Sequence, residues 1–109
     1  MIVVKNRILY MISLCQKSGN IVSGEESCEK AIRTESAKLI IVAQDASENT
    51  KKKFKNSSEF YKVPIYFFSD KEELGHTIGK MFRAVLVITD EGLSSRIKNL
   101  LDDNENVNK

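Results

Sequence analysis

"LIIVA", residues 39–43, is an unbroken apolar run. It is too short for a helix, and Ile40, Ile41 and Val42 are β-branched, so it reads as a strand. No polar residue interrupts it, so neither face is reserved for water. A strand of that kind is covered on both sides. "VPIYFF" at 63–68 and "AVLVI" at 84–88 repeat the pattern, and "NIVS" at 20–23 reads as a fourth, shorter strand. Pro64 has no N–H for a ladder, so its strand starts there or lies at an edge.

The segments between these runs have helical spacing. Asn6 is placed to cap a helix that ends near Ser18, with Gly19 as its stop. Ile8, Met11, Ile12 and Cys15 form its apolar stripe, widened by Leu9 and Leu14. A second helix runs from Gly24 to about Glu35 with Cys28, Ala31 and Ile32 inward. A third begins near Ser47 and carries "KKKFK", with Phe54 and Tyr61 turned in. A fourth starts at Asp70, which has capping-box spacing to Glu73, and buries Leu74 and Ile78. The last starts near Thr89 or Asp90 and buries Leu93, Ile97, Leu100 and Leu101. Helices alternating with doubly covered strands predict a three-layer α/β/α sandwich around a small mixed sheet of about four strands. Residues 1–101 form one domain, and the polar end "DDNENVNK" at 102–109 is expected to be a mobile tail.

The 109 residues are enough for a real core, and the net charge of +2 does not by itself announce a nucleic-acid binder. Cys15 and Cys28 fall at apolar helix positions without metal-ligand spacing, which suggests reduced core thiols in a cytoplasmic protein. "MIVVKNR" is too short an apolar run for a signal peptide, and no stretch approaches a membrane span.

Catalysis finds little support. His76, the lone histidine, has no identifiable nucleophile or orienting carboxylate, and a surface histidine is the simpler reading. Asp45 and Asp90 lie near the C-terminal ends of strands, where each is best read as a cap for the next helix. There is no Walker A motif and no dinucleotide fingerprint. We expect no enzyme activity, no cofactor and no metal.

Two basic features remain. The lysines of "KKKFK" at 51–55 spread over an outer face, for which solvation is the usual explanation. The second feature is distributed. Glu26, Lys30 and Arg33 share one stripe of the second helix, and Ser27 lies beside Lys30. The turn "GKMFRA" at 79–84 sets Lys80 and Arg83 around Met81 and Phe82. Cations beside an apolar surface suit a phosphate backbone with an unstacked base. Equally, Met81 and Phe82 could anchor the turn in the core. "SGEESCEK" at 23–30 also has two readings. Its helix start could receive a phosphate at the free N–H groups. Or Ser23 and Glu26 could close a capping box, with Lys30 paired to Glu26.

In order and spacing, "QKSGNIVSGEESCEKAI", "LIIVAQDASENT", "VPIYFFSDKEELGHTIGK" and "AVLVITDEG" resemble the kink-turn-binding ribosomal-protein family, the L7Ae and L30e group, and within it the small bacterial YlxQ-type members. The resemblance covers residues 6 to about 101. It implies an α/β/α sandwich that grips sharply bent RNA with the start of the second helix and the loop after the fourth. The family motif is glycine, a variable residue, Asn or Lys, Glu or Gln, two variable residues, then Lys. It falls on Gly24, Glu26, Ser27 and Lys30, where the first and last match and the middle two do not. Asn20 stands where the family often has lysine. The departures imply weakened affinity, with binding leaning on Lys17, Lys30, Arg33, Lys80 and Arg83. The expected partner is structured RNA, with ribosomal RNA among the candidates, bound by a monomer. The competing expectation, motivated by the acids at 25–29, is a protein-interaction or assembly factor on the same fold without RNA binding.

Overall fold

The computed structural model describes residues 2–107. The elements are α1 (Ile2–Lys17), β1 (Ile21–Ser23), α2 (Glu25–Arg33), β2 (Leu39–Val42), α3 (Glu48–Tyr61), β3 (Ile65–Phe67), α4 (Lys71–Thr77), β4 (Val85–Ile88) and α5 (Glu91–Val107). The strands form one sheet in the order β1-β4-β2-β3. β4 is antiparallel to β1 and β2, while β2 and β3 are parallel. β3 lies at the edge and starts just after Pro64, whose carbonyl accepts from the Ile40 N–H at 2.9 Å.

Alternation along the central strands builds two cores. Leu39, Ile41, Leu86 and Ile88 pack with Ile8, Ile12 and Cys15 of α1, Leu74 of α4, and Ile97 and Leu101 of α5. Ile40, Val42, Val85 and Val87 pack with Cys28, Ala31 and Ile32 of α2 and Phe54 of α3. Both faces of β2 and β4 are therefore dry, as the unbroken apolar runs require. Each such aliphatic side chain contributes about 1.5–3 kcal/mol by burial. The three-layer α/β/α sandwich with a mixed four-stranded sheet is the observed fold. Cys15 and Cys28 are free and buried, and burial pushes their thiols up to about 11 and about 12.

Several local expectations are corrected by tertiary contacts. α1 does not start after an Asn6 cap. It begins at Ile2, because Val4 packs on the core and Lys5 pairs with Glu73 of α4 at 3.0 Å. α5 continues through residues 102–107, where the sequence suggested a tail. Asp102 holds that turn by accepting from the Tyr66 hydroxyl of β3 and from Lys98 at 3.3 Å. Residues 108–109 of the expected tail lie outside the described residues. Asp45 does not cap the next helix. Ser47 caps α3, accepting from the Thr50 N–H at 3.1 Å, while Asp45 accepts from the Lys71 N–H of α4 at 2.9 Å. Asp90 and Asp70 do cap α5 and α4, accepting from Leu93 and Glu73 N–H groups, each at 2.8 Å. The Glu73 carboxylate leaves the capping box half made, turning to the Ser69 hydroxyl and Lys5.

The strand directions decide where functional groups gather. β1, β2 and β3 run one way and β4 the other. The residues that follow β1, β2 and β3, and those that precede β4, therefore share one edge of the sheet. Backbone hydrogen bonds stitch that edge together: Gly24 N–H to Val85 carbonyl at 3.2 Å, Ala43 N–H to Ala84 carbonyl at 2.8 Å, and Gln44 N–H to Ser69 carbonyl at 2.8 Å.

Candidate nucleic-acid interface

At one end of that edge β1 turns into α2 at Gly24. Its φ of +91° and ψ of 149° belong to a region open essentially to glycine, so the turn requires this residue. Gly24 is the N-cap and makes no side-chain hydrogen bond. The Ser23–Glu26 capping box, one of the two readings of this helix start, is therefore absent. Ser23 is still in the strand, opposite Leu86, and its hydroxyl accepts from Arg83 Nε at 3.2 Å. The first-turn amides of α2 are left without a side-chain acceptor, and the helix dipole adds partial positive charge there.

The acids at this helix start are disposed of within the protein. Glu25 swings to α3, where Lys53 Nζ lies 2.9 Å from its Oε1 and the Thr50 hydroxyl donates to its Oε2 at 2.9 Å. Lys53 also lies 3.5 Å from Glu29 Oε1. The Lys53 hydrogen bond holds the Glu25 carboxyl below its ordinary value of 4.5. Reciprocally, the bond to Glu25 raises the Lys53 ammonium. Glu26 and Lys30 are both exposed. Among the described residues neither makes an ion pair, so the expected Glu26–Lys30 pairing is not formed. Lys30 lies exposed on the solvent side of α2.

The turn from α4 to β4 meets this helix start through Arg83. Arg83 Nε donates to Ser23, its Nη1 to the Phe82 carbonyl at 2.7 Å, and its backbone N–H to the Lys71 carbonyl at 3.0 Å. The two readings of Met81 and Phe82 are now resolved: they are 78% and 57% exposed and do not anchor the turn in the core. The anchor is backbone instead. Gly75, buried in α4, lies so close beneath the turn that an added Cβ would collide with the Met81 carbonyl. The Lys80 N–H donates to the Gly75 carbonyl at 2.8 Å. Met81 and Phe82 face an open cleft of about 660 Å³ that also carries Lys80, His76 and Glu72. His76 is exposed on that cleft. Among the described residues no group of His, Cys, Asp and Glu could hold a metal ion.

The structure thus brings Gly24, Lys80, Met81, Phe82 and Arg83 to one edge. Glu26 and Ser27 are exposed on the adjoining first turn of α2, and Lys30 follows one turn on. Two expected contacts lie elsewhere. Arg33 ends α2, about 13 Å along the helix from its start, toward the opposite edge. Lys17 ends α1 before β1 begins, also at that opposite edge, where the Thr89 N–H donates to the Asn20 carbonyl at 3.0 Å. Sequence reasoning missed the partners of Ser23, Thr50 and Lys53. These lie 60, 25 and 28 positions away, so no local spacing points to them.

The model of the ribosomal protein L7Ae/L30e/S12e/Gadd45 family matches residues 6–98. RNA-binding protein YlxQ of Enterococcus faecium is 39% identical over 98 residues, covering 90% of this chain and 94% of its own. RNA-binding protein YlxQ of Bacillus subtilis (strain 168) is 38% identical over 92 residues, covering 84% and 92%. A solved structure of a protein with unknown function from Bacillus halodurans C superposes with a TM-score of 0.85 at 30% identity, covering 87% of this chain and 96% of that one.

Proposed function

Since the chain belongs to the ribosomal protein L7Ae/L30e/S12e/Gadd45 family, we propose that it is a non-catalytic RNA-binding protein that grips a bent, structured RNA at the edge formed by Gly24 and Arg83. The observation that carries this reading is the side-by-side placement of an uncapped helix start and the exposed Lys80–Arg83 turn, joined by the Arg83–Ser23 hydrogen bond. The helix start offers amides to phosphate or base acceptors. Arg83, Lys80 and Lys30 offer charge-assisted contacts to phosphates. Met81 and Phe82 offer an apolar surface on which a splayed base can stack.

The reading extends to the cytoplasm as the place of action, a monomer as the working unit and ribosomal RNA as one candidate partner. Glu26 and Ser27 stand where the family motif has Asn or Lys and Glu or Gln, so affinity should fall below that of members with the full motif. The competing idea of a protein-interaction factor drew on the acids at 25–29. Glu25 and Glu29 are paired with Lys53 inside the chain, which removes most of that motive.

Titration against a kink-turn RNA and an unbent duplex at several salt concentrations tests the proposal. The bent RNA should bind more tightly. The logarithm of affinity should fall with the logarithm of salt at about −0.9 per duplex phosphate contacted. Equal binding of the two RNAs at every salt concentration would refute it.

A further inference from the structure

The basic run at 51–55 is only partly used by the surface described above. Lys53 turns toward α2. Lys51, Lys52 and Lys55 turn the other way and, with Gln44, Asn56 and Phe67, line an open groove of about 460 Å³. Glu48 is the single acid on the groove wall, 3.7 Å from Lys51 Nζ. Lys52 and Lys55 are exposed and make no ion pair among the described residues. Helical spacing alone would have spread these lysines round a solvated face. Folding instead collects three of them over a half-buried aromatic ring.

The position of the groove is as informative as its lining. Gln44 follows β2 and Phe67 ends β3, so the groove opens at the C-terminal ends of a parallel strand pair, where open α/β sheets commonly receive ligands. It is also the edge that carries Gly24 and Arg83. β1 and β3 are the outer strands of four, so the two surfaces are about 14 Å apart along one continuous rim. Cations, side-chain amides and an aromatic face together suit a phosphodiester backbone with an adjacent base.

We infer that this groove is a second RNA contact, which holds the phosphate backbone of nucleotides flanking the bent element seated at Gly24 and Arg83. The inference rests on the RNA-binding reading above and adds to it a site and a length. Two exposed lysines that make no ion pair among the described residues supply binding that the Glu26 and Ser27 departures withhold.

The experiment compares a bent RNA stem alone with the same stem carrying single-stranded extensions, using wild type and the Lys52→Gln/Lys55→Gln double variant. Both lysines are exposed, so the fold should persist, and circular dichroism checks it. Wild type should bind the extended RNA more tightly than the bare stem. The double variant should lose that advantage, by roughly five- to tenfold at low salt, with the salt slope on extended RNA reduced by about 1.4 for two lost single-strand contacts. Its affinity for the bare stem should stay at the wild-type level. A Lys38→Gln/Lys62→Gln control removes the same charge from the opposite edge and should keep the advantage. Wild-type affinity and slope in the Lys52/Lys55 variant overturn the groove and leave the Gly24–Arg83 reading standing. Equal losses on both RNAs, or in the control, overturn it as a mere net-charge effect. Wild type that binds neither RNA overturns the underlying reading and the groove with it.

Discussion

Lys53 on α3 lies 2.9 Å from Glu25 at the start of α2, and the same ammonium reaches Glu29 at 3.5 Å. Two acids that would repel an incoming phosphate are thereby offset by one cation from the neighbouring helix. Lys53→Gln should lower affinity for bent RNA by about two- to fivefold, the modest scale of a partly exposed pair. The triple variant Glu25→Gln/Glu29→Gln/Lys53→Gln should recover it. Persistent loss in the triple variant would mean that Lys53 touches RNA itself.

The same pair fixes a pH dependence. The folded pKa of Glu25 is depressed, chiefly by the Lys53 hydrogen bond. Its contribution to stability is therefore present above the ordinary glutamate value and is lost as pH falls through the depressed one. Carboxyl NMR should place the Glu25 midpoint below 4.5, and Lys53→Gln should move it upward. A midpoint indifferent to Lys53 would contradict the observed pairing.

Arg83 and Ser23 separate contact from positioning. Arg83→Ala should weaken RNA binding and reduce the salt slope by about 1, because a phosphate contact is lost. Ser23→Ala removes only the acceptor at 3.2 Å that steers the guanidinium. Its affinity loss should be smaller and its slope unchanged. Identical slopes for wild type and Arg83→Ala would place that side chain outside the interface.

Gly75→Ala sets helix propensity against sterics. Alanine favours a helix interior by about 1 kcal/mol. The new Cβ collides with the Met81 carbonyl, and overpacking of that kind costs about 1–3 kcal/mol. The clash is with backbone, so the cost should win. Urea unfolding should show net destabilisation, and RNA affinity should drop as the Lys80–Arg83 turn is displaced. A variant equal to wild type in both assays would show that the turn can give way freely.

Glu26→Asn/Ser27→Glu installs, on an exposed first turn, the residue types that the family resemblance implies there. It should strengthen binding to a kink-turn RNA while leaving unfolding nearly unchanged. No gain would locate the specificity of this chain in the 79–84 turn.

The layers were legible because periodicity reports burial. The unbroken runs at 39–43 and 84–88 read as doubly covered strands, and the structure buries every residue of β2 and β4. The like run at 63–68 forms the edge strand β3, whose residues are only half-buried because no strand pairs beyond it. The stripe Cys28, Ala31 and Ile32 likewise marked the inner face of α2. Element ends were less legible. Asn6, Asp45 and the Ser23–Glu26 pair all had the right local chemistry for caps, and each was overridden by a partner distant in sequence. The cationic site was half legible. Lys80 and Arg83 stood out beside Met81 and Phe82, but composition cannot say whether two large apolar residues face inward or outward.

The sequence by itself determined the alternation of helices and strands, the two faces of the sheet and the family, because those depend on the order and spacing of apolar residues along the chain. Only the tertiary structure decided which charges remain available. Strand order put Gly24, Arg83 and the α3 lysines on one edge while carrying Lys17 and Arg33 toward the other. Helix packing gave Glu25 and Glu29 to Lys53 and left Lys30 unpaired among the described residues. Charge acts through space, and distances in space are set by packing between segments far apart in the chain.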